Sequence, residues 1–91
     1  MSVAATTVTV EFFGVPRERA GRAELVVSAR TVRDALDAVE QSCPGVRLLY
    51  GQGALNSQYL LSLGGERFIT NLSESLPAGA RLLILGADAG G

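Results

Sequence analysis

A chain of 91 residues, 47% apolar and 19% charged, has the size and composition of one folded domain without room for a deep internal active site. Its formal net charge of −1 gives no basis for binding nucleic acid or an anionic membrane. Histidine and lysine are absent and Cys43 is the only cysteine, which excludes a Ser-His-Asp triad, a Cys-His dyad, an internal disulfide, a zinc cluster and Schiff-base chemistry.

The first predicted elements form a hairpin. Residues 8–13 and residues 23–29 both alternate apolar and polar side chains, which predicts two strands. Gly14, Pro16 and Gly21 punctuate the segment between them, which is predicted to be a long polar loop. The charged residues of this loop are interpreted as solvated; they are Arg17, Glu18, Arg19 and Arg22.

Helical periodicity then replaces the alternation. Apolar residues over residues 31–42 recur at i, i+3, i+4 and i+7, which predicts one helix with a single apolar stripe. Thr31 is a plausible N-cap, Asp34 suits the positive end of the helix dipole, and Pro44 ends the pattern. Residues 46–57 are predicted to be irregular.

Three further strands complete the predicted fold. Residues 59–63 and 66–69 flank a tight Gly64-Gly65 turn, and residues 81–85 form the last strand. The order of elements predicts an α+β fold in which one helix packs across a mixed sheet. Residues 1–85 are therefore assigned to the domain and residues 86–91, here called the tail, to a flexible C-terminal segment.

The last strand is apolar at every position from 82 to 85, as in a strand that is covered on both faces. Because one helix covers only one face, the other face, together with Phe13 and Leu60, is a candidate docking patch; the alternative is that these residues belong to the core. Arg67 and Arg81 are candidates for steering an acidic partner, although ordinary solvation also accounts for them.

In order and spacing, the chain resembles the ubiquitin-like sulfur carriers, which include the thiamin-pathway carrier and the small subunit of molybdopterin synthase. The fragments that carry the resemblance span nearly the whole chain. They are residues 8–13, 31–36, 43–45, 61–68 and 76–80, and the closing Ala89-Gly90-Gly91.

The resemblance implies the β-grasp fold and a chemistry at the C-terminus. A partner of the ubiquitin-activating type would use ATP to adenylate the Gly91 carboxylate, and a sulfur donor protein would convert it to a thiocarboxylate. An acceptor enzyme would take this sulfur in cofactor, cysteine or specialised-metabolite biosynthesis. The chain itself would be a protein co-substrate rather than an enzyme, with no bound cofactor or metal. Gly90 would give clearance, because glycine lacks a Cβ. Ala87, Asp88 and Ala89 would contact the partners.

Two alternatives remain open from the sequence. The tail suits a protein modifier joined to a target lysine through Gly91 equally well, and a β-grasp binding module would not use the tail at all. The first residues lack the features of a signal peptide and no apolar run is long enough to span a membrane, so a cytosolic location is expected.

Overall fold

The computed structural model describes residues 6–50 and 53–87. In chain order the strands are β1 (Thr7–Phe12), β2 (Glu24–Ser28), β3 (Leu49–Tyr50), β4 (Ala54–Leu55), β5 (Tyr59–Leu63), β6 (Arg67–Ile69) and β7 (Arg81–Gly86). The helices are α1 (Val15–Ala20) and α2 (Val32–Ser42). Neither of the described helices is long and apolar enough to cross a membrane.

Five strands form one mixed sheet in the order β2-β1-β7-β5-β6. The central pair, β1 and β7, is parallel, and the other neighbouring pairs are antiparallel. The predicted hairpin of β1 and β2 and the predicted mixed sheet are confirmed. Because a parallel pair cannot be closed by a tight turn, the whole of the intervening chain serves as the crossover.

Helix α2 seals the inner face of the sheet. Thr31 is its N-cap, as predicted: the Thr31 Oγ1 accepts the N–H of Asp34 at 3.2 Å, and the Asp34 carboxylate accepts the N–H of Arg30 at 3.4 Å. The first of these bonds satisfies a backbone donor that the first turn of a helix leaves unpaired, and the second holds the residue before the N-cap. The buried stripe of the helix consists of Val32, Ala35, Leu36 and Val39.

The prediction of a loop over residues 14–22 is wrong, because this segment contains α1. Pro16 lies in the first turn, which its fixed φ suits, and Gly21 ends the helix in the left-handed conformation at φ 74°. The Gly21 N–H donates to the carbonyl oxygen of Arg17 at 3.0 Å. A helix of six residues is too short to leave a readable apolar period.

The segment predicted to be irregular contains β3 and β4, which pair as a two-stranded sheet. Strands of two residues are too short to show alternation in the sequence. Glu40 of α2 holds the entry to this sheet, because its Oε2 accepts the N–H groups of Leu48 at 2.6 Å and Leu49 at 2.9 Å.

The Gly64-Gly65 turn between β5 and β6 is confirmed. Both glycines have positive φ, 62° and 76°, and the N–H of Glu66 donates to the carbonyl oxygen of Leu63 at 3.0 Å. Two consecutive positive φ values define the type I′ turn that matches the twist of a hairpin.

We expect the substitution Leu36→Ala to lower the free energy of unfolding by about 2–5 kcal/mol, because this fully buried side chain of α2 lies in the core against the sheet. Urea denaturation followed by circular dichroism measures the change. Asp37→Ala on the exposed side of the same helix is the matched control and should shift stability by less than about 0.5 kcal/mol. Equal losses for both variants would contradict the assigned core.

Candidate functional site

The last strand brings the backbone to one end of the sheet. Gly86 pairs with Tyr59 at the end of the ladder, one residue beyond the predicted strand, and the N–H of Ala87 donates to the carbonyl oxygen of Gln58 at 2.8 Å. We call Gly86 and Ala87 the tail root. The remaining predicted tail residues lie outside the described residues; they are Asp88, Ala89, Gly90 and Gly91.

Helix α1 borders the tail root. A Cβ placed on Gly86 would lie 3.8 Å from the Cδ of Pro16. The Arg19 Nη1 donates to the hydroxyl oxygen of Tyr59 at 2.8 Å, with a longer contact of 3.4 Å to the Oε1 of Gln58. Arg19 therefore joins α1 to the residues beside the tail root, and is not simply a solvated loop residue as interpreted from the sequence.

The turn before β5 is held from the interior by Asn56, which is buried. Its Nδ2 donates to the carbonyl oxygen of Arg47 at 2.8 Å, and its backbone N–H donates to the carbonyl oxygen of Leu48 at 2.7 Å. Its Oδ1 accepts a hydrogen bond from the backbone N–H of Gln58 at 2.9 Å, and its carbonyl oxygen accepts one from the backbone N–H of Tyr59 at 3.0 Å. Buried polar groups require such partners, so this network fixes the turn.

The face of the sheet opposite α2 carries an apolar cluster. The register sets Leu60 against Leu85, and Ser62 against both Leu83 and Phe68, so these side chains share one face. Three members of the cluster keep between 40% and 65% of their surface exposed. We call this cluster the outer patch; it consists of Phe13, Leu60, Phe68, Leu83 and Leu85.

Two arginines lie at the opposite end of the sheet and both form ion pairs. The Nη2 of Arg81 is 3.3 Å from the Oε2 of Glu11 and 4.0 Å from the Oε1 of Glu24, and Arg67 pairs with Glu74. Both arginines line a shallow pocket of about 250 Å³. Exposed pairs of this kind contribute little to stability.

The structure separates the predicted partner-binding residues into two groups. Leu60 and Phe13 lie near the tail root, which includes Ala87. Leu60 belongs to the pair next to the last one in the β5–β7 ladder, and the N–H of Phe13 donates to a carbonyl oxygen of β7 at 3.0 Å. Arg67 and Arg81 lie at the other end of the sheet. Along β7, Arg81 is about 17 Å from the tail root at roughly 3.3 Å per residue. The two groups therefore cannot act on the same few atoms of a partner.

Residues 6–50 and 53–87 contain no group of three His, Cys, Asp or Glu side chains placed to hold a metal ion. The Cys43 thiol belongs to a residue that is 3% exposed and packs in the core. The described residues present an exposed apolar surface at Phe13, Leu60 and Phe68.

The fold and this arrangement define the class: the chain has the ubiquitin-like β-grasp architecture, as the resemblance implied. No protein-family model and no curated protein matches the sequence. The structural neighbours include small archaeal modifier proteins.

Particular solved structures match over almost their whole length. SAMP1 from Haloferax volcanii has 28% identity and a TM-score of 0.79, with 93% of this chain and 99% of that chain covered. A chain of the Amycolatopsis orientalis BexX/CysO complex has 25% identity and a TM-score of 0.76, with 92% and 99% covered. The putative molybdopterin converting factor subunit 1 from Pyrococcus furiosus, at 21% identity, TM-score 0.71 and coverage of 90% and 98%, shows the shared fold.

Sequence reasoning missed three residues of the site. Phe68 was detectable, because alternation in a short strand sets it opposite the buried Ile69. Arg19 and Gln58 carried no local signal, since their contact joins positions 39 residues apart.

The Arg67–Glu74 pair has a defined electrostatic consequence. The hydrogen bond and the positive charge of Arg67 hold the pKa of the Glu74 carboxyl below its ordinary value of 4.5. A lowered pKa in the folded state means that the pair contributes stability above the ordinary value, and that this contribution is lost as the pH falls through the lowered pKa.

We expect the substitution Arg67→Met to return the pKa of Glu74 toward its ordinary value, because both favourable contacts of the carboxylate are removed. An NMR titration of the side-chain carboxyl resonances measures this change. The control Arg81→Met removes a similar charge that does not contact Glu74 and should leave its pKa nearly unchanged. An unchanged Glu74 titration in Arg67→Met would contradict the pair.

Proposed function

We propose that this protein is a sulfur carrier whose Gly91 carboxylate is adenylated by a partner enzyme and converted to a thiocarboxylate. The observation that supports the proposal is the match of 92% of this chain to a chain of the BexX/CysO complex, at 25% identity and a TM-score of 0.76. The sequence adds the diglycine, which follows the last strand by three residues.

The proposed chemistry explains why such a carrier needs a partner. A carboxylate is a poor electrophile, because its charge repels nucleophiles and oxide is a very poor leaving group. Attack of the Gly91 carboxylate on the α-phosphorus of ATP forms an acyl-adenylate and releases pyrophosphate. A hydrosulfide then adds to the acyl carbon, AMP leaves, and the terminus becomes a thiocarboxylate whose soft sulfur is nucleophilic.

The outer patch is the proposed docking surface for the adenylating partner. It combines large exposed apolar side chains with a position beside the tail root, so a partner seated there would have the tail within reach. Arg67 and Arg81, at the far end, would contribute to steering rather than to contact near the terminus. A sulfur donor protein and an acceptor enzyme would use the same tail in later steps, and a cytosolic location would suit these partners.

A second candidate function is protein modification through Gly91. The 28% identity to SAMP1 favours it, because another solved structure of the Haloferax volcanii protein names it small archaeal modifier protein 1. An amine would then replace AMP on the acyl carbon and form an isopeptide bond.

We expect intact mass spectrometry to show a mass gain equal to sulfur replacing oxygen when the chain is incubated with an adenylating enzyme, ATP and sulfide. Deletion of Gly91 should abolish the gain. Peptides in which Gly91 is joined to a lysine would favour the modifier. An unchanged mass, with an enzyme that is active on its own substrate, would contradict the carrier and favour a binding module that does not use its tail.

We expect the substitution Leu60→Asp to raise the KM for adenylation by about tenfold or more, because it places a charge in the outer patch. The kcat should change little, since the tail is untouched. The matched control is Val26→Asp, an apolar residue on the same face that is 61% exposed and lies on β2, away from the tail root. Equal KM values for the two variants would contradict docking on the outer patch.

A further inference from the structure

The direction in which the chain leaves the sheet depends on one carbonyl group. The Gly86–Tyr59 pair is the last pair of the β5–β7 ladder. Beyond it, the N–H of Ala87 donates to the carbonyl oxygen of Gln58 at 2.8 Å, which is the last backbone bond along the described chain. The position of Gln58 therefore sets the path of the backbone at the tail root.

Gln58 lies in a turn, where a backbone is mobile unless other groups hold it. Asn56 holds it from the interior, because the buried amide oxygen accepts the N–H of Gln58. Arg19 holds it from the surface: its Nη1 contacts the Gln58 Oε1 and donates to the hydroxyl of Tyr59, whose ring is fixed in the core. A charged donor makes a stronger hydrogen bond than a neutral one.

Arg19 is also held at its own backbone. A Cβ on Gly45 would lie only 2.6 Å from the carbonyl oxygen of Arg19, so the loop after α2 presses directly on the end of α1. The left-handed cap at Gly21 ends the helix two residues later. A fixed backbone limits the conformations of the side chain, so less entropy is lost when the guanidinium reaches across to Tyr59.

We propose that Arg19 is a positioning residue that fixes the direction of the tail root by bridging α1 to Gln58 and Tyr59. Among the described residues its guanidinium contacts Gln58 and Tyr59, so it is proposed to act through them. Its role in delivering the tail to a partner rests on the proposed function. Its effect on Ala87 does not, because that effect can be measured on this chain alone.

The first test is amide hydrogen exchange of Ala87, measured by NMR on the full chain. The substitutions Arg19→Met and Tyr59→Phe should each speed this exchange about three- to tenfold, the size expected for one net hydrogen bond. The double variant should be no faster than the faster single one, because both remove the same bond. Arg19→Lys, which keeps a charged donor, should restore part of the protection.

Arg22→Met is the matched control, because it removes the same charge two residues after α1 and forms no side-chain hydrogen bond among the described residues. It should leave Ala87 unchanged. The proposal is overturned if Arg22→Met has the same effect as Arg19→Met. It is overturned as well if Arg19→Met speeds the exchange of the Ala87 amide only as much as that of core amides such as Val10, which would indicate a general loss of stability. It is also overturned if the Ala87 amide of the unaltered protein exchanges as fast as that of an unstructured peptide.

The second test uses adenylation by the partner. Arg19→Met should lower kcat about three- to tenfold and leave KM for the carrier nearly unchanged, because the outer patch still docks while the tail is aimed less well. A change confined to KM would assign Arg19 to docking and overturn the positioning role. If the unaltered protein is not adenylated at all, the proposed function fails. The hydrogen exchange of Ala87 then still tests whether Arg19 positions the tail root.

Discussion

The structure depends on the parallel pairing of β1 with β7, which places strands from the two ends of the described chain side by side in the middle of the sheet. Strands β2, β5 and β6 join the same sheet, and α2 with its buried stripe covers one of its faces. Parallel pairs are found mainly where helices cover the sheet, and α2 buries Val32, Leu36 and Val39 on the inner side here. The same pairing leaves the end of β7 at the boundary of the sheet, next to α1.

The two faces of the sheet have different roles for the same physical reason. Val10 and Ile84 on the inner side are fully buried, and their burial stabilises the fold. Leu60 and Phe68 on the outer side remain exposed, and an apolar surface that no helix covers is a surface that a partner can cover. Helix α1 lies at the edge between these faces, where Arg19 reaches the residues that hold the tail root.

Carrier and modifier chemistry make the same demands on this domain. Each needs a domain that a partner enzyme recognises and a glycine terminus that reaches the ATP site of that enzyme. The difference between them is the nucleophile that replaces AMP, a hydrosulfide or an amine, and partners supply it in both cases. SAMP1 and a chain of the BexX/CysO complex both share the fold of this domain.

The sequence by itself determined the helix from Val32 to Ser42, the strand from Tyr59 to Leu63 and the Gly64-Gly65 turn, because periodicity, an N-cap and glycine conformation are local properties. It also showed that the chain has no histidine or lysine and that its tail ends in two glycines. Helix α1 was missed because six residues are too few to show an apolar period. Only the tertiary structure decided the order of the strands and the position of Arg67 at the end of the sheet away from the tail root, because these depend on which distant segments meet. The contact of Arg19 with Tyr59 is of this kind: a single hydrogen bond between positions 40 residues apart leaves no pattern in either neighbourhood.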